Sequence, residues 1–240
     1  MTLSQPNPST NRGVSGRYLR PPAPLFFPVG ETVPESADHR LRVIALWESV
    51  TQALGDGALV GSDLFLYWDP TDPKKCLAPD LAVRVGTPSA ILKTWKTWEL
   101  GAPHVGVEIV SDWDRSQQPF AQKLERYRQA GIAEVVRFDA EDEERPLGLW
   151  DLLDGDLVER DIAKPDARFC DALGFYWCVA ADPVLGNALR LARDAAGREP
   201  LPTPAESRDA AVAAMDTERT AKEAALARVA ELEAEIARRR

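Results

Sequence analysis

Residues 104–111, HVGVEIVS, read as a short strand that is apolar except for one acid at its centre, Glu108. An ionised carboxylate in a dry interior costs several kcal/mol unless it is paired or holds a cation. A fold that makes this strand central must bring a positive or hydrogen-bonding group to Glu108. The same pressure acts on whichever segments lie beside it, and it directs attention to acids and bases at the ends of neighbouring elements.

Those elements follow from periodicity. Residues 35–57 place Val43, Leu46, Trp47, Val50 and Leu54 on one helical face, with Gly55 as the stop. LVGSDLFLYWD (59–69) reads as one strand, and DLAVRVG (80–86) as a second. Leu92, Trp95 and Trp98 recur at helical spacing, so residues 87–99 read as a helix. After the strand with Glu108, residues 116–130 carry the stripe Phe120, Leu124, Tyr127 and end at Gly131, a helix with its C-terminal stop. AEVVRFD (133–139) is a further strand. LGLWDLL and DLVERDI flank Asp154 and Gly155 as a hairpin, and FYWCVA (175–180) is one more apolar strand. The order predicts an α/β fold, an α+β sandwich with a central mixed sheet flanked by helices.

Four regions follow. Residues 1–34 are a Pro-rich arm whose Leu25, Phe26 and Phe27 can pack on the domain. Residues 35–182 form the domain, 183–203 a linker, and 204–240 a charged helix rich in Ala, Glu and Arg. In that helix Val229, Leu232 and Ile236 fit an a/d/a coiled-coil pattern, but its extension sets Lys222 and Glu218 on the seam. A homodimer through this helix and a solvated solitary helix are both open.

Composition bounds the chemistry. The 240 residues are 45% hydrophobic, enough for a real core. Two histidines, His39 and His104, exclude a three-histidine zinc site, and three cysteines without CxxC spacing point to reduced thiols. The first residues lack a signal-peptide pattern, and no apolar run is long enough to span a bilayer, so a cytoplasmic location is expected and no membrane partner. The net charge of −9 argues against general nucleic-acid binding without excluding a local basic groove. No glycine-rich phosphate loop, nucleophile elbow or HExxH is present.

Asp80 opens the second apolar strand after Pro79. Two carboxylates on adjacent strands can share one divalent cation such as Mg²⁺ or Mn²⁺, which favours oxygen ligands and keeps several waters. The same-face neighbour of Glu108 within its strand is Val110, which cannot act as a base. Lys123 flanks the stripe of the following helix, and its long stem can carry the ammonium towards the carboxylates.

APDLAVRVG, HVGVEIVS and QKLERYRQAGIAEVVRFD, with SDLFLYWD before them and LGFYW after, resemble the Uma-type restriction endonuclease family of the PD-(D/E)XK nuclease superfamily. The resemblance runs from about Glu35 to Val179. It implies a restriction endonuclease-like core and metal-dependent hydrolysis of DNA phosphodiesters. It also implies that Asp80 and Glu108 act as metal ligands and Lys123 as the lysine moved from strand to helix. The chain departs from the family at Ser111-Asp112-Trp113, where many relatives carry Ser-Pro-Ser/Thr, and at Pro119, where many carry an aspartate. Asp63 and Glu48 are secondary acidic candidates, and Trp113 can stack on a base.

Each residue taken singly has an ordinary role open to it. Asp80 can be a strand-start residue, Glu108 a solvent-facing edge residue, and Lys123 a surface partner of Glu125 or Glu134. The alternative function is a non-catalytic binding or assembly module that retains the nuclease fold.

Overall fold

The computed structural model describes Phe27, residues 36–111 and residues 120–239. Helix α1, Ala37–Leu54, starts at Ser36, whose hydroxyl accepts from the His39 backbone N–H. It ends at Gly55, which has φ 55°. Val43, Leu46 and Val50 form its buried face, as the periodicity predicts, while Trp47 is exposed.

Six strands form a mixed central sheet in the order β1-β4-β6-β7-β8-β9. These are β1 Ala58–Gly61, β4 Leu81–Val85, β6 Val105–Ile109, β7 Glu134–Phe138, β8 Leu147–Leu153 and β9 Asp156–Glu159. Only the β6–β7 pair is parallel, and helix α3, Phe120–Ala130, lies between them in sequence. Asp154 and Gly155, with φ 50° and 90°, make the two-residue turn between β8 and β9, the positive-φ pair that a tight hairpin demands. The structure is therefore α/β with a mixed sheet flanked by helices, as expected.

Two corrections concern residues 59–100. The run 59–69 is not one strand. Asp63 takes φ 51°, which turns the chain, and Leu66–Tyr67 (β2) belongs to a separate small sheet with Cys76–Leu77 (β3) and Trp95–Lys96 (β5). The helix expected over 87–99 does not form. Residues 87–94 are irregular, and only Thr97–Leu100 (α2) is helical. Trp95 decides this: it is fully buried, its backbone N–H donates to Phe65 at 2.9 Å, and its indole N–H donates to Gly101 at 3.0 Å. Burial of a large aromatic outweighs a weak three-residue periodicity.

Residues 183–203, expected as a linker, contain strand β12, Gly186–Ala192. It pairs with Tyr176–Asp182 of β11, Phe175–Asp182, in a second sheet with β10, Phe169–Cys170. Leu189, Leu191 and Leu201 enter the main core with α1 and the central sheet. Asn187 and Arg190 make this segment look polar in sequence, yet Arg190 is buried and donates to Glu206 and to the Leu201 carbonyl.

The core has two halves on opposite faces of the central sheet. One joins α1, the second sheet and the face of β6 and β7 that carries Val107, Ile109, Val136 and Phe138. The other lies under α3, with Leu59, Ala82, Tyr127, Ile132, Val135 and Trp150. Phe27 stacks edge-on against Tyr67, with ring centroids 4.9 Å apart, so this arm residue packs on the domain; Leu25, Phe26 and the rest of the arm lie outside the described residues. The C-terminal helix α4, Pro204–Arg238, begins with a capping box between Thr203 and Glu206. Among the described residues, no helix is long and apolar enough to cross a membrane.

Candidate active site

The antiparallel register pairs Leu81 with Val107 and Ala82 with Gly106. One further step sets Asp80 beside Glu108, both on the face covered by α3 because strand side chains alternate. Both acids are 6% exposed. One oxygen of Asp80, Oδ2, accepts from the Ile109 backbone N–H at 2.5 Å. The other lies 3.1 Å from His39 Nε2. His39 stands in the first turn of α1, so a helix packed mainly on the opposite face still reaches the end of the sheet to hold Asp80.

Glu108 is held from α3. Lys123 Nζ donates to Oε2 at 2.9 Å, and the Tyr127 hydroxyl donates to Oε1 at 2.6 Å. The two donors are one helical turn apart at i and i+4, on one face of the helix. Gly106 makes the approach possible: a Cβ there would sit 2.5 Å from Tyr127 Cε1, closer than two carbons can pack. The Lys123 side chain keeps 22% of its surface exposed against 7% for Glu108, so its ammonium sits at the solvent edge. Burial first, and then the neighbouring Asp80 charge, push the Glu108 carboxyl up to about 7, against the opposing pull of Lys123 and Tyr127.

Arg137 completes the surroundings. Its strand position pairs with Glu108 across the parallel β6–β7 ladder, which puts both side chains on one face. The guanidinium carbon lies 5.9 Å from the centroid of the Phe120 ring, at the start of α3, and Nη2 donates to Asp139 at 2.8 Å. The anomalous strand acid therefore has the Asp80 carboxylate and the Lys123 ammonium beside it, with Arg137 at the paired position of the next strand.

Asp80, Glu108 and Lys123 are thus brought together. Lys123 joins Glu108, while Glu125 takes Arg128 at 2.7 Å and Glu134 takes Arg160 at 2.6 Å. Glu48 and Asp63 are exposed, Glu48 on α1 and Asp63 in the turn after β1. Asp112, Trp113 and Pro119 lie outside the described residues. Sequence reasoning missed His39, Tyr127 and Arg137. Tyr127 was legible as the i+4 neighbour of Lys123, but it reads first as part of an apolar stripe. Arg137 is a second charge within an apolar strand. His39 carries no local signal.

The donor set suits a hard divalent cation. Two buried carboxylates whose charges repel each other would supply oxygen ligands to such an ion, in place of some of the hydrogen bonds that now engage their four oxygens. Among the described residues no group of three or more His, Cys, Asp or Glu forms a complete metal cage. His39 is suited to orienting the Asp80 carboxylate.

The fold and site define an α/β protein whose mixed central sheet carries two buried acids and a helix-borne lysine at one end. No family model and no curated protein matches the chain. Among solved structures, it is similar to a "putative nuclease belonging to DUF820" from Anabaena variabilis, at 17% identity and a TM-score of 0.42, covering 60% of this chain and 77% of that one.

Proposed function

We propose that the protein is a metal-dependent endonuclease that hydrolyses DNA phosphodiester bonds, with Asp80 and Glu108 as cation ligands. The observation that carries this reading is the convergence on Glu108 of a second buried carboxylate and the Lys123 ammonium, 2.9 Å away. Asp80 and Glu108 would hold Mg²⁺ or Mn²⁺, which would supply Lewis-acid stabilisation of phosphoryl oxygens and acidify a water. Asp80 is aligned by Ile109 N–H and His39, so its carboxylate is fixed before substrate arrives. Lys123 orients the attacking water or stabilises charge that develops on the phosphate. Arg137 offers a second positive group for a phosphate near the scissile one. Tyr127 holds the carboxylate of Glu108 in the orientation that Lys123 shares.

The test is incubation of the purified chain with plasmid and single-stranded DNA in Mg²⁺ or Mn²⁺. Wild-type cleavage that disappears in Glu108→Ala and Asp80→Asn is the expected result. Cleavage that survives Glu108→Ala sinks the reading.

A specific observation favours a second reading, a non-catalytic binding or assembly module. All four oxygens of Asp80 and Glu108 already have protein partners, as in a closed structural network. Titration with Mn²⁺, followed by electron paramagnetic resonance, separates the two. Binding lost in Glu108→Gln favours the enzyme. Absence of binding, together with a lower melting temperature in the same variant, favours the module.

A further inference from the structure

Helix α4 is 35 residues long, about 52 Å at 1.5 Å per residue. Its first turn is anchored: Arg190 donates to both oxygens of Glu206, at 2.6 and 3.0 Å, and Gln52 donates to Ser207 at 2.8 Å. No residue of the helix is buried. An amphipathic helix draws most of its stability from packing of its apolar face, and this face is uncovered. Val212, Met215, Leu226, Val229 and Ile236 are each at least half exposed.

These five residues share one seam. Val212 and Leu226 fall on one heptad position, and Met215, Val229 and Ile236 on the other, with the alternating spacing of three and four that coiled coils use. This register differs from the one that Val229, Leu232 and Ile236 suggest as a/d/a, and it absorbs more of the exposed apolar surface. On a straight helix such a stripe drifts about 20° per heptad, so it faces one partner continuously only if the two helices supercoil.

Arg219, Lys222 and Glu233 interrupt the seam, and the neighbours of the first two choose the orientation. Glu218 occupies the flanking position before Arg219, and Glu223 the one after Lys222. In a parallel, in-register pair, seam residues pack beside the flanking residues of the opposite helix. Each charged seam residue then lies across from its own copy; Glu218 of the partner subunit beside Arg219, and Glu223 of the partner subunit beside Lys222, offset the repulsion in those two layers. An antiparallel pair with Val212 opposite Ile236 sets Arg219 against Val229 and Lys222 against Leu226, burying both charges on apolar side chains. Charged seam positions lower stability while fixing register and strand number.

We infer that α4 is a dimerisation helix that joins two copies of this chain in a parallel, in-register coiled coil over residues 212–236. The two domains then sit at the same end of the assembly, each anchored by Arg190 and Glu206. The inference does not depend on the nuclease reading.

The experiment uses the full chain. Light scattering on the wild type gives twice the chain mass, and Leu226→Glu with Val229→Glu halves it without lowering the melting temperature of the domain. In a Cys76→Ser background, Val229→Cys forms an interchain disulfide on mild oxidation, while Glu231→Cys, on the outer face, does so at least tenfold more slowly. A wild-type monomer, or a mass above the dimer, overturns the inference. A dimer in which Val229→Cys fails to cross-link, or in which the two cysteine variants cross-link equally, overturns the parallel register.

Discussion

Tyr127 donates its phenol hydrogen bond to Glu108 at 2.6 Å from a helix position one turn beyond Lys123, so one face of α3 serves both oxygens of a single buried carboxylate. This bond favours the ionised form of Glu108. Tyr127→Phe keeps the ring above Gly106 and removes only the donor. A buried carboxylate oxygen left without a donor costs about 1–3 kcal/mol. The expected outcome is a loss of that order in urea denaturation, with the Glu108 carboxyl titrating at higher pH. An unchanged midpoint means that water replaces the phenol and that Tyr127 is only packing.

Glu108 also makes stability depend on pH. Its carboxyl is raised from an ordinary 4.5 to about 7, chiefly by burial and then by Asp80. Between these values the folded chain binds more protons than the unfolded one, so the stabilisation is complete below about 4.5 and declines as pH rises through about 7. Denaturation midpoints in EDTA are expected to fall across this window in the wild type, and the fall is smaller in Glu108→Gln. A cation competes with the proton, so Mn²⁺ binding tightens over the same window. Parallel pH profiles for wild type and Glu108→Gln count against this assignment.

A second buried acid has a different solution. Glu134 accepts from Trp177 Nε1 and Arg160 Nη2, each at 2.6 Å, and Arg160 also holds Asp151 and the Phe169 carbonyl. The network ties β7 and β8 of the central sheet to β10 and β11 of the second sheet. Burial raises the Glu134 carboxyl, with Arg160 opposing it. Removing one partner of a buried pair costs about 3–5 kcal/mol because the other charge is stranded. Arg160→Met is expected to lose stability of that order in chemical denaturation, and adding Glu134→Gln restores part of it. Full additivity of the two changes excludes the coupling.

The sequence made the β6–α3–β7 unit and its acid legible because three signals agree there: a short apolar strand, a charge that the strand cannot hold alone, and a helix ending in glycine. Glu108 was conspicuous because its local environment contradicts its chemistry. Asp80 became significant only through register, since a strand-opening aspartate is ordinary. Trp95 and residues 186–192 were misread for a common reason. Their elements are set by partners far away in the chain, Phe65 for Trp95 and β11 for Leu189 and Leu191, and no local period encodes those pairings. His39 was illegible for the same reason, because its contact spans forty-one positions from α1 to Asp80.

Arg137 tests whether the basic surroundings of Glu108 meet a phosphate. Its guanidinium carbon sits 5.9 Å from the Phe120 ring centroid, one donor engaged by Asp139, on the strand beside Glu108. A residue that only packs on Phe120 would leave DNA affinity unchanged when replaced by a side chain of similar reach. A phosphate contact releases counterions, so its loss weakens binding about equally across sequences and lowers the salt slope by about one. Arg137→Gln in Ca²⁺, with fluorescence anisotropy on a labelled duplex across a salt series, reads both quantities. The expected outcome is weaker binding and a shallower slope, with the melting temperature kept. An unchanged slope with weaker binding assigns Arg137 to supporting α3 rather than to touching DNA.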